Sequence, residues 1–519
     1  MVTHFFFCLF VFRGITMKSI FEQIDDAVRM NACIPEGFAL VEALKPGEKT
    51  NIHLGSDEGI IGHPVIAPDE TELEVAVKII KEAVKINAKL AVHGFDDNVL
   101  GFKVARIRGS LLKRIIDDIQ EYDPHKLSTL AYSLTMFGTK LETVKLGLLL
   151  LVLFDFADDE VVKKHLITLG MYEEFTSYVI SSVKSWPEGM RNHVYYVYAQ
   201  KLRGWGKINA VECIEPINDE IKEWILCNGC RNEVGYKYLA KTVFDKSDLH
   251  TRLKQGGLNE DEMTGARDIM RGLLEDPMGS GIASVDSPAL LAMRYFKELA
   301  EHEIILEDVA NMYQIKDYFA NNDKASRPSD RDTALAVIDR LIGISEAENK
   351  VRRGVYDKPE LSVPIAANAG IDIADALMDC VVNDFDNYYK YGYYFLNDNV
   401  YVDDFITVCE KNLAGRNFKE GMGLNTVTPD DENVWMLDAV IQHLSGYPGK
   451  GTMLLVTAIG SSVLQFRTAA AKVISDWEEA EETNIKKLSA DVFHAIKKIR
   501  KKEAADSLKK VWDDILSYK

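Results

Sequence analysis

The chain has 519 residues, 47% of them hydrophobic and 27% charged. That composition fits a folded protein of roughly two to four domain-sized units, or one extended repeat array. A net charge of −19 with a pI near 5.2 repels phosphate backbones and argues against a nucleic-acid partner. The cysteines at 8, 33, 213, 227, 230, 380 and 409 are too sparse and irregular for a disulfide framework, and they read as thiols in a reducing cytoplasm.

Residues 1–16 contain an unbroken apolar run, Phe5 to Phe12, too short to span a bilayer. Basic residues before the run and a small-residue cleavage site after it are both missing, so it does not read as a signal peptide. Two readings stay open: upstream sequence translated ahead of Met17, or an apolar leader that lies in a membrane surface. From Met17 the pattern becomes an amphipathic helix with Ile20, Phe21, Ile24, Ala27 and Val28 on one face.

Residues 17–99 read as a small mixed α/β unit. The first helix is followed by glycine- and proline-rich extended sequence, a periodic helix runs from Glu70 to Asn87, and AKLAVHGF looks strand-like. Helical periodicity dominates from about Leu100. Leu127, Leu130, Ala131, Leu134 and Phe137 mark one face, Gly138 breaks the pattern, and LGLLLLVLF reads as a core helix that is apolar all round. Pairs follow at 158–168 with 171–184 and at 188–202 with 206–214. In the stretch GWGKINAVECIEPINDEIKEWILCNGC, Ile208, Val211 and Ile214 mark one helix. Ile217, Ile221, Trp224 and Ile225 mark the next, with Asp219 and Glu220 in its first turn and Asn228-Gly229 turning left-handed after it. The spacing predicts helix–turn–helix units of about 35 to 45 residues, a HEAT-like helical-repeat array over 100–355. Residues 356–519 read as a C-terminal helical region with a tyrosine-rich segment and a glycine- and asparagine-rich loop at 414–434. The expected fold is therefore mainly α.

Few residues point to chemistry. Cys227 and Cys230 have no second Cys-x-x-Cys and no close histidine pair, so they read as structural thiols. The histidines lack the Glu-x-x-His and His-Glu-x-x-His spacings of metal sites, and His165 and His443 read as ordinary helix residues. Gly460-Ser461-Ser462 lies in an apolar helical run and is no nucleophile elbow. Gly446, Gly449 and Lys450 suggest a cofactor-phosphate loop, although the glycines are too close for a P-loop and also suit a helix connector. GSGIAS at 279–284 follows a helical pattern where a dinucleotide fingerprint needs a strand. The lysine run Lys497, Lys498, Arg500, Lys501, Lys502 reads as a solvated helix face. Tyr388, Tyr391, Tyr393 and Tyr394 could line a substrate pocket or pack between repeats.

Over IFEQIDDAVRMNACIPEGFALVEAL, GWGKINAVECIEPINDEIKEWILCNGC and HLSGYPGKGTMLLVTAIGSS the chain resembles bacterial proteins described as limonene hydroxylase. The resemblance extends from Met17 onward and carries no short diagnostic motif. It implies an NADH- or NADPH-dependent monooxygenase that converts limonene to carveol and perillyl alcohol. Such chemistry needs an oxygen-activating cofactor. The haem-thiolate loop is not visible, because Cys409 precedes AGRNFKEG and no cysteine follows it. The residues on their own terms favour a non-catalytic scaffold that binds protein partners.

Overall fold

A computed structural model describes residues 18–40, 55–56, 59, 70–97, 103–276, 279, 281–322, 327–396, 400–413 and 432–518. The expectations for residues 1–16 and for 414–431 lie outside them, as does most of the extended sequence between 41 and 69. Among the described residues the chain is helical with no β-strand, and no helix is long and apolar enough to cross a membrane. Contacts divide the chain into two compact units. Of the described residues, one comprises those up to His302 together with 327–334, and the other 303–322 with those from Leu335 on.

In the first unit the helices alternate between two sets. Glu70–Ala83, Val104–Asp117, Leu141–Leu151, Glu173–Ser182, Trp205–Cys213 and Ala240–Ser247 each pack on the next of that series. The intervening helices pair among themselves, Ala88–Asp97 with Pro124–Phe137 and Asp219–Asn228 with Glu260–Glu275. Many of the side-chain bonds that tie this unit span similar sequence separations. Asp96 with Thr139, Val104 with Glu142, Thr135 with His165, Glu173 with Gly204, Glu212 with Thr242, Arg231 with Asp268, and Leu258 with Glu298 all bridge 30 to 43 residues. Longer ties exist, such as Asn209 to the Gly59 carbonyl across 150 residues.

The apolar run is buried through Leu151, where the helix ends, and Val152, Leu153 and Phe154 are half-buried. Every residue from Thr143 to Leu151 is buried, and Gly147 lies where a Cβ would sit 2.8 Å from the Leu134 Cβ, so Pro124–Phe137 crosses at close range. Lys145 is held inside by Glu174 at 2.7 Å, since a buried ammonium needs a partner. The N-terminal helix Ile20–Asn31 opens with Ser19 and Glu22 in a reciprocal cap.

Two local expectations are corrected. AKLAVHGF is helix within Ala88–Asp97, not a strand. Ala91, Val92 and Phe95 are buried with helical spacing, and Asn87 starts the helix by accepting from Lys89 N–H at 3.0 Å. A short apolar run does not separate the two periods by itself. Gly229 is not left-handed: its φ is −65°. Glycine suits the position because a Cβ would meet the Ile225 carbonyl oxygen at 2.5 Å and Val243 at 3.0 Å.

In the second unit Leu306–Asn321, Ala347–Asp357, Ala374–Asn383, Val402–Leu413, Thr452–Gly460 and Ala490–Arg500 likewise pack each on the next. The apolar helical run is interrupted at Ser461, an extended residue whose carbonyl accepts from Arg467 at 2.8 Å. Arg467 and Glu503 form a fully buried, two-bonded ion pair at 2.9 Å. Burial pushes the Glu503 carboxyl upward, but Arg467 and the Ala505 N–H outweigh it and hold the acid below its ordinary value.

Candidate binding groove

The surface concavity with the most chemistry lies in the first unit, where Glu188–Lys201, Asp219–Asn228 and Glu260–Glu275 come together. Asn218 starts the middle helix by accepting from Ile221 N–H at 2.8 Å. Asp219 and Glu220 occupy the first turn, where the helix dipole favours anions. Ile221, Ile225 and Leu226 face the core, which leaves Glu220, Glu223 and Trp224 along the outer flank. Gly265 brings the third helix close, for a Cβ there would stand 2.0 Å from the Leu226 carbonyl oxygen. That approach sets Asp261 and Thr264 on the opposite rim. Tyr196 meets Trp224 edge-on, with ring centres 5.3 Å apart and planes at 90°, the geometry that ring quadrupoles prefer. The space enclosed is about 400 Å³.

Charge in the groove is one-sided. Nearby carboxylates are mostly paired: Glu262 with Arg252 at 2.7 Å, Asp268 with Arg231 at 2.9 Å, Glu260 with His302 at 2.8 Å. Glu220, Glu223 and Asp261 line the groove, are exposed, and have no ion-pair or hydrogen-bond partner among the described residues. Arg231 also lines it, but its charge is committed to Asp268. Lys207 donates to the Asn228 carbonyl at 3.1 Å and lies 5.7 Å from the Trp224 ring centre. Burial pushes its ammonium down to about 8.

The Cys-x-x-Cys sits beside this groove as structural thiols. Cys227 is a free thiol pushed up to about 11 by burial, with nearby carboxylates adding to the shift. Cys230 is buried, and its thiol donates to the carbonyls of Asp268 at 3.4 Å and Tyr236 at 3.6 Å. Neither has the lowered value that makes a thiolate reactive. No group of three or more metal-ligating side chains occurs among the described residues.

The other sequence candidates belong to the second unit. Gly446, Gly449 and Lys450 form the connector before Thr452–Gly460, with Gly449 and Gly451 left-handed at φ 80° and 66°. At that helix start the Met453 N–H is donated to the Glu410 carboxylate at 3.1 Å, and Lys450 pairs with Asp403. A carboxylate thus accepts from the first turn of this helix, where helix N-termini bind anions. Tyr388, Tyr391, Tyr393 and Tyr394 pack against the second unit's core. The Tyr388 hydroxyl donates to the carbonyls of Tyr356 at 2.9 Å and Val355 at 3.2 Å. Tyr394 donates to the Ile371 carbonyl at 3.2 Å and accepts from Ile373 N–H at 3.1 Å. Lys497, Lys498, Lys501 and Lys502 are exposed.

Sequence reasoning missed Tyr196, Glu223 and Asp261, and it assigned Trp224 to the buried face. A signal was present: Glu220 and Glu223 flank Trp224 on a helix with no basic residue four positions on from either, so the acids lack the usual intrahelical partners. No protein-family model, curated protein or solved structure matches this chain.

Proposed function

We propose that the chain is a HEAT-like helical-repeat scaffold that binds a protein partner on the Tyr196–Thr264 face of its first unit. The observation that carries this reading is a series of helices in the first unit, Glu70–Ala83 through Ala240–Ser247, each packed on the next of the series, together with side-chain ties 30 to 43 residues long. Stacking that couples only neighbours is how repeat arrays build extended binding surfaces. The described cysteines are free thiols, in keeping with a cytoplasmic site of action.

The second proposal follows the sequence resemblance: an NAD(P)H-dependent monooxygenase acting on limonene, with Tyr388, Tyr391, Tyr393 and Tyr394 at the substrate. It rests on that resemblance alone, and no residue is assigned to the nicotinamide cofactor or to oxygen activation.

Two measurements separate the proposals. A photo-crosslinking residue at exposed Lys201 is expected to trap one defined protein in cells, while the same residue at exposed Glu479 does not. Purified protein incubated with limonene, NADH or NADPH and air is expected to give no carveol or perillyl alcohol above a mock preparation. Product that scales with protein overturns the scaffold reading.

A further inference from the structure

We infer that Lys207 is a nucleophilic amine at the edge of the groove and that it captures small neutral aldehydes as imines. The inference goes beyond the scaffold reading and needs no protein partner. Three lysines of the first unit that lie wholly or partly inside it are satisfied in different ways. An ammonium has three N–H donors. Lys145 meets the Glu174 carboxylate at 2.7 Å, and Lys246 donates to the carbonyls of Val211, Glu212 and Ile214 at 3.2, 2.8 and 2.7 Å. Lys207 is half-buried and makes one hydrogen bond, to the Asn228 carbonyl at 3.1 Å, with no ion pair among the described residues. That setting suits a neutral amine better than an ammonium. Burial disfavours the charge, and the Arg231 guanidinium adds to the effect, while Asp268, Glu173 and the Cys230 thiol act the other way. The first two prevail and bring the ammonium down to about 8. Desolvation beside another cation is how a lysine becomes a nucleophile near neutral pH.

The neighbours of the amine also shape the space beside it. Asn228, Trp224 and Arg231 each act on Lys207, and each lines the concavity of about 400 Å³. The Trp224 and Tyr196 rings offer flat apolar surface. Exposed Glu220, Glu223 and Asp261 on the lining repel a phosphorylated or carboxylated compound. A neutral aldehyde with a flat apolar body is the class that fits. The nitrogen lone pair adds to the carbonyl carbon, and the adduct then loses water. A C=N bond replaces the C=O bond, both amine protons leave with the oxygen, and no oxidant or reductant is consumed.

The test incubates the full chain with benzaldehyde and cyanoborohydride, which reduces an imine to a stable benzylamine. Mass spectrometry then follows each lysine over time across a pH series. At pH 7.5 Lys207 is expected to label at least about ten-fold faster than exposed Lys201, because far more of an amine lowered to about 8 is neutral there than of an ordinary lysine. Its rate is expected to level off above about pH 8, whereas the rates of ordinary exposed lysines keep rising. It is also expected to saturate with benzaldehyde concentration, while labelling of Lys201 stays linear. Arg231→Gln keeps the amine, removes the neighbouring cation and frees Asp268, so the plateau should move to higher pH and labelling at pH 7.5 should slow a few-fold. Lys207→Arg should remove the saturable labelling, and circular dichroism checks that each variant stays helical. Equal rates at Lys207 and Lys201 would overturn the inference. A Lys207 rate that never saturates would overturn it too, since the amine would then react without a binding site. Crosslinking from Lys201 is unaffected by either outcome, so the scaffold reading stands or falls separately.

Discussion

His165 shows how one buried side chain ties stability to pH. It is 2% exposed, and its ring centre is 4.1 Å from that of Phe21. The Thr135 hydroxyl donates to the Tyr132 carbonyl at 2.8 Å, so it accepts from His165 Nε2 at 3.0 Å. That assigns the proton of the neutral ring to Nε2 and leaves Nδ1 buried without a partner. Protonation would place a charge and a new N–H in a dry site, and burial accordingly lowers the group to about 4. Between the ordinary value of 6.5 and about 4 the unfolded chain binds the proton and the folded chain does not. Stability from this residue is therefore complete above the ordinary value and is lost as pH falls through that window. A shift of that size corresponds to about 3 kcal/mol at most. Comparing urea midpoints at pH 7.5 and 4.5, His165→Phe should show a smaller acid loss than wild type, whatever its own stability. An equal loss in both would mean that His165 takes up its proton in the folded state.

At the scale of elements, glycines decide how near the helices approach. The helical periodicity was legible because Leu127, Leu130, Ala131 and Leu134 are buried as their spacing predicts, whereas Phe137, placed on the same face by its spacing, is exposed at the helix end. The helix crossings were not legible, because a glycine in sequence does not say whether it turns the chain or admits a neighbour. Gly265 admits one: an added Cβ would meet backbone at 2.0 Å from the Leu226 oxygen and 2.8 Å from the Cys227 Cα. Backbone cannot rotate away, so the two helices would have to separate. Gly265→Ala should therefore cost about 1–3 kcal/mol or more. Gly109→Ala, in the interior of Val104–Asp117 with open space around it, should stabilise by about 0.5–1 kcal/mol through helix propensity alone. Thermal midpoints that move in the same direction for both would refute the close crossing at Gly265. The groove was hidden for a related reason. Trp224 fits the apolar stripe by spacing, yet only the crossing of three helices decides that it stops half-buried beside Tyr196.

At the scale of the whole molecule, each unit contains a series of helices packed each on the next, and the proposed array reading would make stability a matter of neighbours. Periodicity in the sequence reveals the helices, but the long polar ties depend on residues tens of positions apart that no local pattern links. Arg467 and Glu503, 36 residues apart with side chains 0% exposed, are one such pair. Arg467→Met would leave the Glu503 carboxylate buried without its cation, a change that typically costs about 3–5 kcal/mol. In an array coupled only to adjacent members, that loss stays local. Hydrogen exchange should accelerate most in Leu464–Ala480 and Asp506–Ser517, less in Thr452–Gly460, and little in Ala347–Asp357, which lies several steps along the same unit's packing series. Uniform acceleration across the second unit would instead show a single cooperative core, and it would remove the physical basis for reading this chain as an array.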